Sequence, residues 1–270
     1  MNIVVSALNI YPIKSCGGMS VKEAVVVERG FQYDRRWMVT DRNGMFLTQR
    51  NHPKLSLAVT RMKDGHFAIS APDHEEVQIP LEPRDGEKIP VEVWGSRVDA
   101  LRGSREADEW FSSLLGLPCL LVFMPSTAIR PVSHSSAMKT DHIAFSDAFP
   151  FLLISEASLE DLNGRLEQPV PMNRFRPNIV IRGCGPYEED TWHELQIGSL
   201  PFLAAKPCDR CTTTTVDQAT GVKGVEPLRT LANYRNRNGD VLFGQNLIHK
   251  FHGVLRIGDI LTPLPQENHA

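Results

Sequence analysis

The sequence predicts a mainly β chain with a few helices, an α+β fold in two parts, and three observations carry that prediction. Short β-branched and aromatic segments recur between glycine-containing turns through the first part of the chain. Apolar residues at helical spacing surface in only a few places, beginning near Ser104, Ser155 and Pro227. A chain of 270 residues with 41% hydrophobic content suffices for one large domain or two modest ones around a buried core.

From Ile3 to Leu57 the pattern is β, with strands expected at residues 21–28 and 37–40. Asp41-Arg42-Asn43-Gly44 lies between Trp37-Met38-Val39 and Met45-Phe46-Leu47 and reads as a hairpin, because Asn-Gly accepts positive φ at little cost. Strands at 67–70 and 91–93, separated by turns at Asp64-Gly65 and Asp85-Gly86, continue the pattern, so this half reads as a small β-barrel. The period then changes. Trp110, Phe111, Leu114 and Leu115 share one helical face, Ser104 can cap the start, and Gly116 and Pro118 stop it. This helix marks the expected seam between a domain of residues 1–118 and one of residues 119–267.

Beyond the seam, residues 120–124 and 149–154 are apolar runs that read as buried strands, with a loop rich in Ser, Thr and His at 126–141 between them. Ser155 can cap a second helix with a Leu159, Leu162, Leu166 stripe, ended by Pro169 and Pro171. Strands are expected at 178–181 and 194–197, and the β-branched run 212–216 reads as another. Pro227 sits at the favoured first position of a third helix carrying Leu228, Leu231 and Tyr234. Residues 254–261 close the fold as a strand interrupted by Gly258-Asp259.

A formal net charge of −3 and a pI near 6.3 give no global attraction to phosphate backbones or anionic lipid, and no basic stripe appears. Nucleic acid and membrane are therefore not expected partners. No stretch approaches the roughly 18 consecutive apolar residues that a membrane span needs. Five cysteines and an N-terminus with no basic and apolar leader pattern fit free thiols in a reducing cytoplasm.

The chemistry concentrates in Lys206-Pro207-Cys208-Asp209-Arg210-Cys211, directly before four threonines. A structural zinc site needs about four soft ligands. Here Cys16, Cys119 and Cys184 are scattered singly, and only His249-x-x-His252 offers a second pair. A thioredoxin-type pair should open a helix, yet a β-branched run follows. What remains is a thiol beside Lys206 and Arg210, a cationic setting that favours thiolate and soft-metal ligation, or else a buried unreactive cysteine. Lys14, Arg35, Arg36, Arg176 and Arg210 each stand beside apolar strand residues. They can serve as anion-binding forks or as ion-pair partners of acids such as Asp34 and Asp209. Asp217 with Thr220-Gly221 reads as a turn, and His134 and His142, in or beside the polar loop, receive no role.

The segment Cys208-Asp209-Arg210-Cys211-Thr212-Thr213-Thr214-Thr215-Val216-Asp217, followed by Glu226-Pro227-Leu228 and Leu242-Phe243-Gly244-Gln245, resembles the MOSC family, named for the molybdenum cofactor sulfurase C-terminal domain. Tyr11-Pro12-Ile13-Lys14-Ser15, Asp34-Arg35-Arg36-Trp37, Ser155-Glu156-Ala157-Ser158-Leu159 and Phe175-Arg176-Pro177-Asn178 extend the likeness over nearly the whole chain. It is greatest to the branch of YcbX-type and amidoxime-reducing proteins. The resemblance implies an N-terminal β-barrel-like domain packed on a MOSC β-barrel that binds the molybdenum cofactor (Mo-molybdopterin). It implies Cys211 as the metal-ligating and catalytic thiol, with Lys14, Ser15, Arg35, Arg176, Asp209 and Arg210 contacting pterin and phosphate. The chain departs from the pattern at Asn246, where the amidoxime reducers carry a tyrosine, and at Asp147-Ala148, where small hydroxyl residues contribute.

The activity implied is reduction of small N-hydroxylated molecules to amines or amidines. The chain has neither a plant-type ferredoxin cysteine run nor a Gly-x-Gly-x-x-Gly fingerprint, so no iron–sulfur cluster is expected in it. Electrons would then come from a separate flavin, iron–sulfur or haem protein. A different class stays open beside this one, a sulfur carrier or cofactor-holding module in which Cys211 bears a persulfide or simply retains the pterin. A third reading is a binding domain without chemistry.

Overall fold

In the computed structural model, which describes residues 2–135, 137–138 and 141–265, seven strands close on themselves. In hydrogen-bonding order they are Phe151–Ser155, Ile179–Arg182, Ile3–Ile10, Ile260–Leu264, Glu194–Ile197, Leu200–Asp209 and Asp240–His249, the last pairing back onto the first. The first two run parallel and the other neighbours antiparallel. A parallel pair needs a crossover. Helix Glu156–Asn163 provides it, started by the Ser155 hydroxyl, which accepts from Ser158 N at 3.0 Å.

Alternation along Phe151–Ser155 explains the apolar run. Phe151 and Leu153 pack with Leu8, Ile179, Leu195, Phe202 and Leu247, while Leu152 and Ile154 pack with Leu162, Phe175, Leu231 and Phe243. Both faces are buried, so no polar residue breaks the run. Where this strand meets Asp240–His249, Gly244 adopts φ +82°, and a Cβ there would lie 2.8 Å from the Leu153 carbonyl oxygen. Only glycine allows the two backbones to approach so closely.

The N-terminal part builds a four-stranded sheet in the order Trp37–Asp41, Cys119–Phe123, Ser96–Arg102, Lys88–Val93. A second sheet joins Val59–Lys63, His66–Ala71 and His74–Pro80. Trp37, Leu55, Phe67, Phe111 and Phe123 share a core beneath helix Arg105–Leu115. Ser104 caps that helix and Gly116 ends it at φ 70°. Strand pairing crosses position 118 in both directions: Ile3–Ile10 belongs to the barrel, while Cys119–Phe123 belongs to the N-terminal sheet. Residues 136, 139 and 140 of the polar loop, and the expected domain end at 267, lie outside the described residues.

Three local expectations are corrected. Residues 212–216 do not form a strand: Thr212–Thr215 is a 3-10 helix. The hydroxyls of Thr214 and Thr215 donate back to the carbonyls of Cys211 and Thr212 at 2.9 and 2.8 Å, a local bonding option that outcompetes β propensity. The expected strand 21–28 divides into Met19–Val21 and Glu23–Val27, the latter pairing with Gly253–Arg256. Pro227 occupies the position just before helix Leu228–Tyr234 instead of its first turn. Among the described residues no helix is long and apolar enough to cross a membrane, which says nothing of strands.

Candidate active site

At one end of the barrel, strand Leu200–Asp209 delivers Cys208 and Asp209 to the rim, and Cys211 heads the 3-10 helix just beyond. A cleft of about 330 Å³ opens there. Lys14, Ser15, Arg35, Arg176, Asp209, Arg210, Cys211 and Asn246 all line it, brought together from five stretches of chain. Lys14 and Ser15 follow Ile3–Ile10, Arg35 precedes Trp37–Asp41, and Arg176 precedes Ile179–Arg182. Asn246 sits in Asp240–His249, opposite Lys206 on one side and Leu152 on the other.

Three of these residues, Ser15, Arg35 and Arg176, hold left-handed backbones at φ 65°, 48° and 57°. Non-glycine residues in this region cost on the order of 1 kcal/mol each and persist only where surrounding structure enforces them. Here the enforcement is visible. Arg35 donates to Asn178 Oδ1 at 2.9 Å and pairs with buried Asp34, whose other oxygen accepts from Tyr11 N at 2.8 Å. Arg176 donates to the Cys16 carbonyl, and both guanidinium carbons lie 4.3 Å from the Tyr11 ring centroid. Burial, reinforced by the like charge of Arg35, pulls Arg176 down to about 10. Burial also pushes the Tyr11 phenol up to about 12, so it stays protonated and donates to the Pro177 carbonyl at 3.1 Å.

The two thiols differ. Burial raises the Cys208 thiol above its ordinary value, opposed by Arg210, whose Nη1 donates to Cys208 Sγ at 2.8 Å. Burial acts on Cys211 in the same sense, but hydrogen bonding with Thr213 and the charges of Arg50 and Arg210 outweigh it and lower that thiol. Arg50 Nε donates to Cys211 Sγ at 3.2 Å, and the Thr213 hydroxyl lies 3.4 Å from the same sulfur. Of the two thiols, Cys211 is the one whose surroundings favour the thiolate, the form that takes a metal or an electrophile.

On the far side of Arg50, buried Lys14 donates to the Phe145 carbonyl at 2.7 Å and forms an ion pair with Asp147. Burial, partly offset by Asp147, lowers Lys14 to about 8. Asp147 also accepts from Trp94 Nε1 at 3.1 Å and Arg50 Nη2 at 3.3 Å. Desolvation by the cleft walls around it opposes its ionisation although its side chain keeps solvent contact, yet Lys14 and Arg50 hold the carboxyl well below the usual range.

The lining carries five cations, Lys14, Arg35, Arg50, Arg176 and Arg210, against two carboxylates, Asp147 and Asp209. Asp209 is further neutralised by Lys206 at 3.1 Å. Arg210 Nε is buried with no hydrogen-bond partner among the described residues. A chain of formal net charge −3 thus concentrates positive charge around one activated thiol, as a polyanionic ligand bearing phosphate requires. No three His, Cys, Asp or Glu side chains gather into a metal-ligand cluster among the described residues. A soft metal held by Cys211 would therefore take its remaining ligands from a non-protein group, as a pterin dithiolate provides. The residues present fit that group.

Arg50 and Trp94 escaped the sequence reading. Arg50 follows the expected hairpin in the polar run Thr48-Gln49-Arg50, and the burial of Gln49 shows that this run faces inward. Trp94 stands before Gly95 in a turn, a place where a large aromatic has no folding reason to be. His134, His142 and Asp217 do not line the cleft. His142 contacts Glu28 at 2.6 Å. Asp217 accepts from Ala219 N and Thr220 N in the expected turn and pairs with Arg174 at 2.8 Å.

Comparison with known proteins identifies the family. Residues 2–118 match the MOSC N-terminal beta barrel domain and residues 140–262 match the MOSC domain. Mitochondrial amidoxime-reducing component 1 of Mus musculus is 40% identical over 97% of this chain and 82% of its own length. Its Homo sapiens counterpart is 36% identical over 97% and 83%. Molybdenum cofactor sulfurase of Oryza sativa subsp. japonica is 35% identical over 90% of this chain but only 32% of that protein. With both domain matches in order and relatives of this similarity along almost its full length, the chain belongs to the MOSC family, in the group that holds the mitochondrial amidoxime-reducing components.

Proposed function

We propose that this chain is a molybdenum cofactor-dependent oxidoreductase that reduces hydroxylamines, amidoximes and N-hydroxylated bases to amines or amidines, using electrons from a separate flavin, iron–sulfur or haem protein. The observation that carries the reading is the activated Cys211 thiol at the focus of five cations contributed by distant segments. The names of the relatives support the reading, amidoxime-reducing component for the reduction and molybdenum cofactor sulfurase for an association with that cofactor.

When bound, the cofactor would supply two-electron oxygen-atom-transfer chemistry. Cys211 would ligate its metal. Lys14, Ser15, Arg35, Arg176, Asp209, Arg210 and Asn246 would contact the pterin and its phosphate, the arginine forks and the Ser15 hydroxyl being suited to phosphate oxygens. Net reduction of R–NH–OH to R–NH2 and water consumes two electrons and two protons. Lys14 holds a proton at Nζ beside the Asp147 carboxylate, which is 58% exposed and faces the cleft, so this pair can relay protons inward from solvent.

The test compares wild type with Cys211→Ser, both expressed in a host that makes the cofactor. Stoichiometric molybdenum is expected in wild type and little in the variant. Reduction of a hydroxylaminopurine by a reduced viologen dye should be lost with the metal. Labile sulfur in place of molybdenum would move the assignment to a sulfur carrier. Unchanged metal content and turnover in Cys211→Ser would end the proposal.

A further inference from the structure

Arg50 lies in a turn of the N-terminal part, 161 residues from Cys211 in sequence, yet it makes a direct contact with the sulfur. Three observations show that its guanidinium is held for that contact. Its Nε points at Cys211 Sγ at 3.2 Å. Its Nη2 is tethered to Asp147 Oδ2 at 3.3 Å. Its plane is supported by the Trp94 ring, with the guanidinium carbon 4.5 Å from the centroid. Asp147 is itself oriented by Trp94 Nε1 and Lys14, so the three side chains form a closed support. The backbone is tied down too, because Lys223 Nζ donates to the Arg50 carbonyl at 2.9 Å.

We infer that Arg50 is a positioning residue which, clamped by Asp147 and Trp94, donates an N–H···S hydrogen bond to the Cys211 sulfur and thereby sets how strongly that sulfur gives electron density to a bound metal. The inference rests on the reading of Cys211 as the metal ligand. Hydrogen bonds to a ligating sulfur withdraw charge from it and favour the electron-rich, reduced state of the metal. Arg is suited to this because its rigid fork serves a carboxylate with one nitrogen and the sulfur with another, whereas Lys offers one point charge.

The experiment uses the metal-loaded protein and three variants, Arg50→Gln, Arg50→Lys and Asp147→Asn. Each is first checked for molybdenum content and for a native circular dichroism spectrum. Two readouts follow, the midpoint potential of the metal by redox titration and the energy of the thiolate-to-metal charge-transfer band. Arg50→Gln should shift the potential negative and the band to longer wavelength. Arg50→Lys, which keeps the charge without the oriented Nε–H, should recover part of the potential but leave the band shifted. Asp147→Asn weakens the tether and should move the band to longer wavelength by less, while its lost negative charge shifts the potential the opposite way from Arg50→Gln.

If Arg50→Gln does not retain metal, Arg50→Lys and Asp147→Asn carry the same comparison. Potentials and bands equal to wild type in the metal-bearing variants would overturn the inference while leaving the proposed function intact. Wild type free of molybdenum would instead remove the function on which it rests.

Discussion

The two walls of the cleft are built on opposite plans. On one side Arg35 and Arg176 bracket Tyr11, Arg35 also donates to the Arg176 carbonyl, and their other partners, Asp34, Asn178 and the Cys16 carbonyl, belong to the packed interior. On the other side Lys14 and Arg50 share Asp147, whose side chain is 58% exposed. The first wall has its geometry set by buried neighbours and by left-handed backbones at Arg35 and Arg176. The second is held by a carboxylate that water already reaches, so exchanging that partner for another anion costs little. Cation-rich clefts repel themselves, and this one answers the problem in two ways: fixed neutralisation by buried partners on one wall, and exchangeable neutralisation by a solvent-reached carboxylate on the other.

If that contrast holds, the largest loss of stability should come from the fixed wall at Tyr11. Tyr11→Leu removes two cation–π contacts worth about 1 kcal/mol each and a buried hydrogen bond worth about 1 kcal/mol, so a loss of about 3 kcal/mol is expected in urea unfolding. Tyr11→Phe keeps the ring and should cost only about 1 kcal/mol. A Tyr11→Leu protein as stable as wild type would show that the two arginines need no platform, and the distinction between the walls would fail.

The second effect is smaller and separates the walls by pH. Burial places Lys14 at about 8, below its ordinary 10.5, so between these values the unfolded chain binds a proton that the folded chain lacks. Stability contributed by this group therefore rises with pH across that window, while the cation is lost from the cleft. Sulfate does not titrate here and serves as the probe. Its affinity for the cofactor-free protein, measured by calorimetry, should fall as pH rises through about 8 in wild type. Lys14→Arg should remove that dependence, because a guanidinium stays charged. A profile equally flat in both proteins would mean that anions sense only the Arg35 and Arg176 wall.

Much of this architecture was legible before any coordinates. Helices Arg105–Leu115 and Glu156–Asn163 declared themselves through Ser104 and Ser155, whose hydroxyls do cap them, and the buried run ending at Ile154 is a barrel strand. The residues named for the cleft came from motif resemblance, since periodicity alone does not bring Lys14 beside Cys211. Strand Asp240–His249 went unread because Gly244, Gln245, Asn246 and His249 interrupt its apolar pattern although every one of them is buried. The threonine run misled because β propensity describes a residue paired in a sheet, while each hydroxyl here satisfied its own backbone. Arg50 and Trp94 were invisible for another reason: their role exists only once the N-terminal sheets dock against the barrel rim.

The smallest effect is the most discriminating. Asp147→Ala deletes a carboxylate that accepts from Lys14, Arg50 and Trp94, and a simple count of contacts would rank it among the costliest changes. The exposure of that carboxylate argues otherwise: Lys14 is buried, but the Asp147 end of the pair stays in contact with water, and pairs screened by solvent contribute roughly 0–1 kcal/mol. Lys14 keeps the Phe145 carbonyl at 2.7 Å and can shed its proton, and Arg130 still holds the Asp147 backbone carbonyl at 3.1 Å. Urea unfolding at pH 7 should therefore show a loss of no more than about 1 kcal/mol. At pH 9, where Lys14 is largely neutral in the folded protein, the difference from wild type should shrink further. A loss as large as that of Tyr11→Leu, unchanged by pH, would show Asp147 to be as fixed as Asp34, and the cleft would then have one kind of wall.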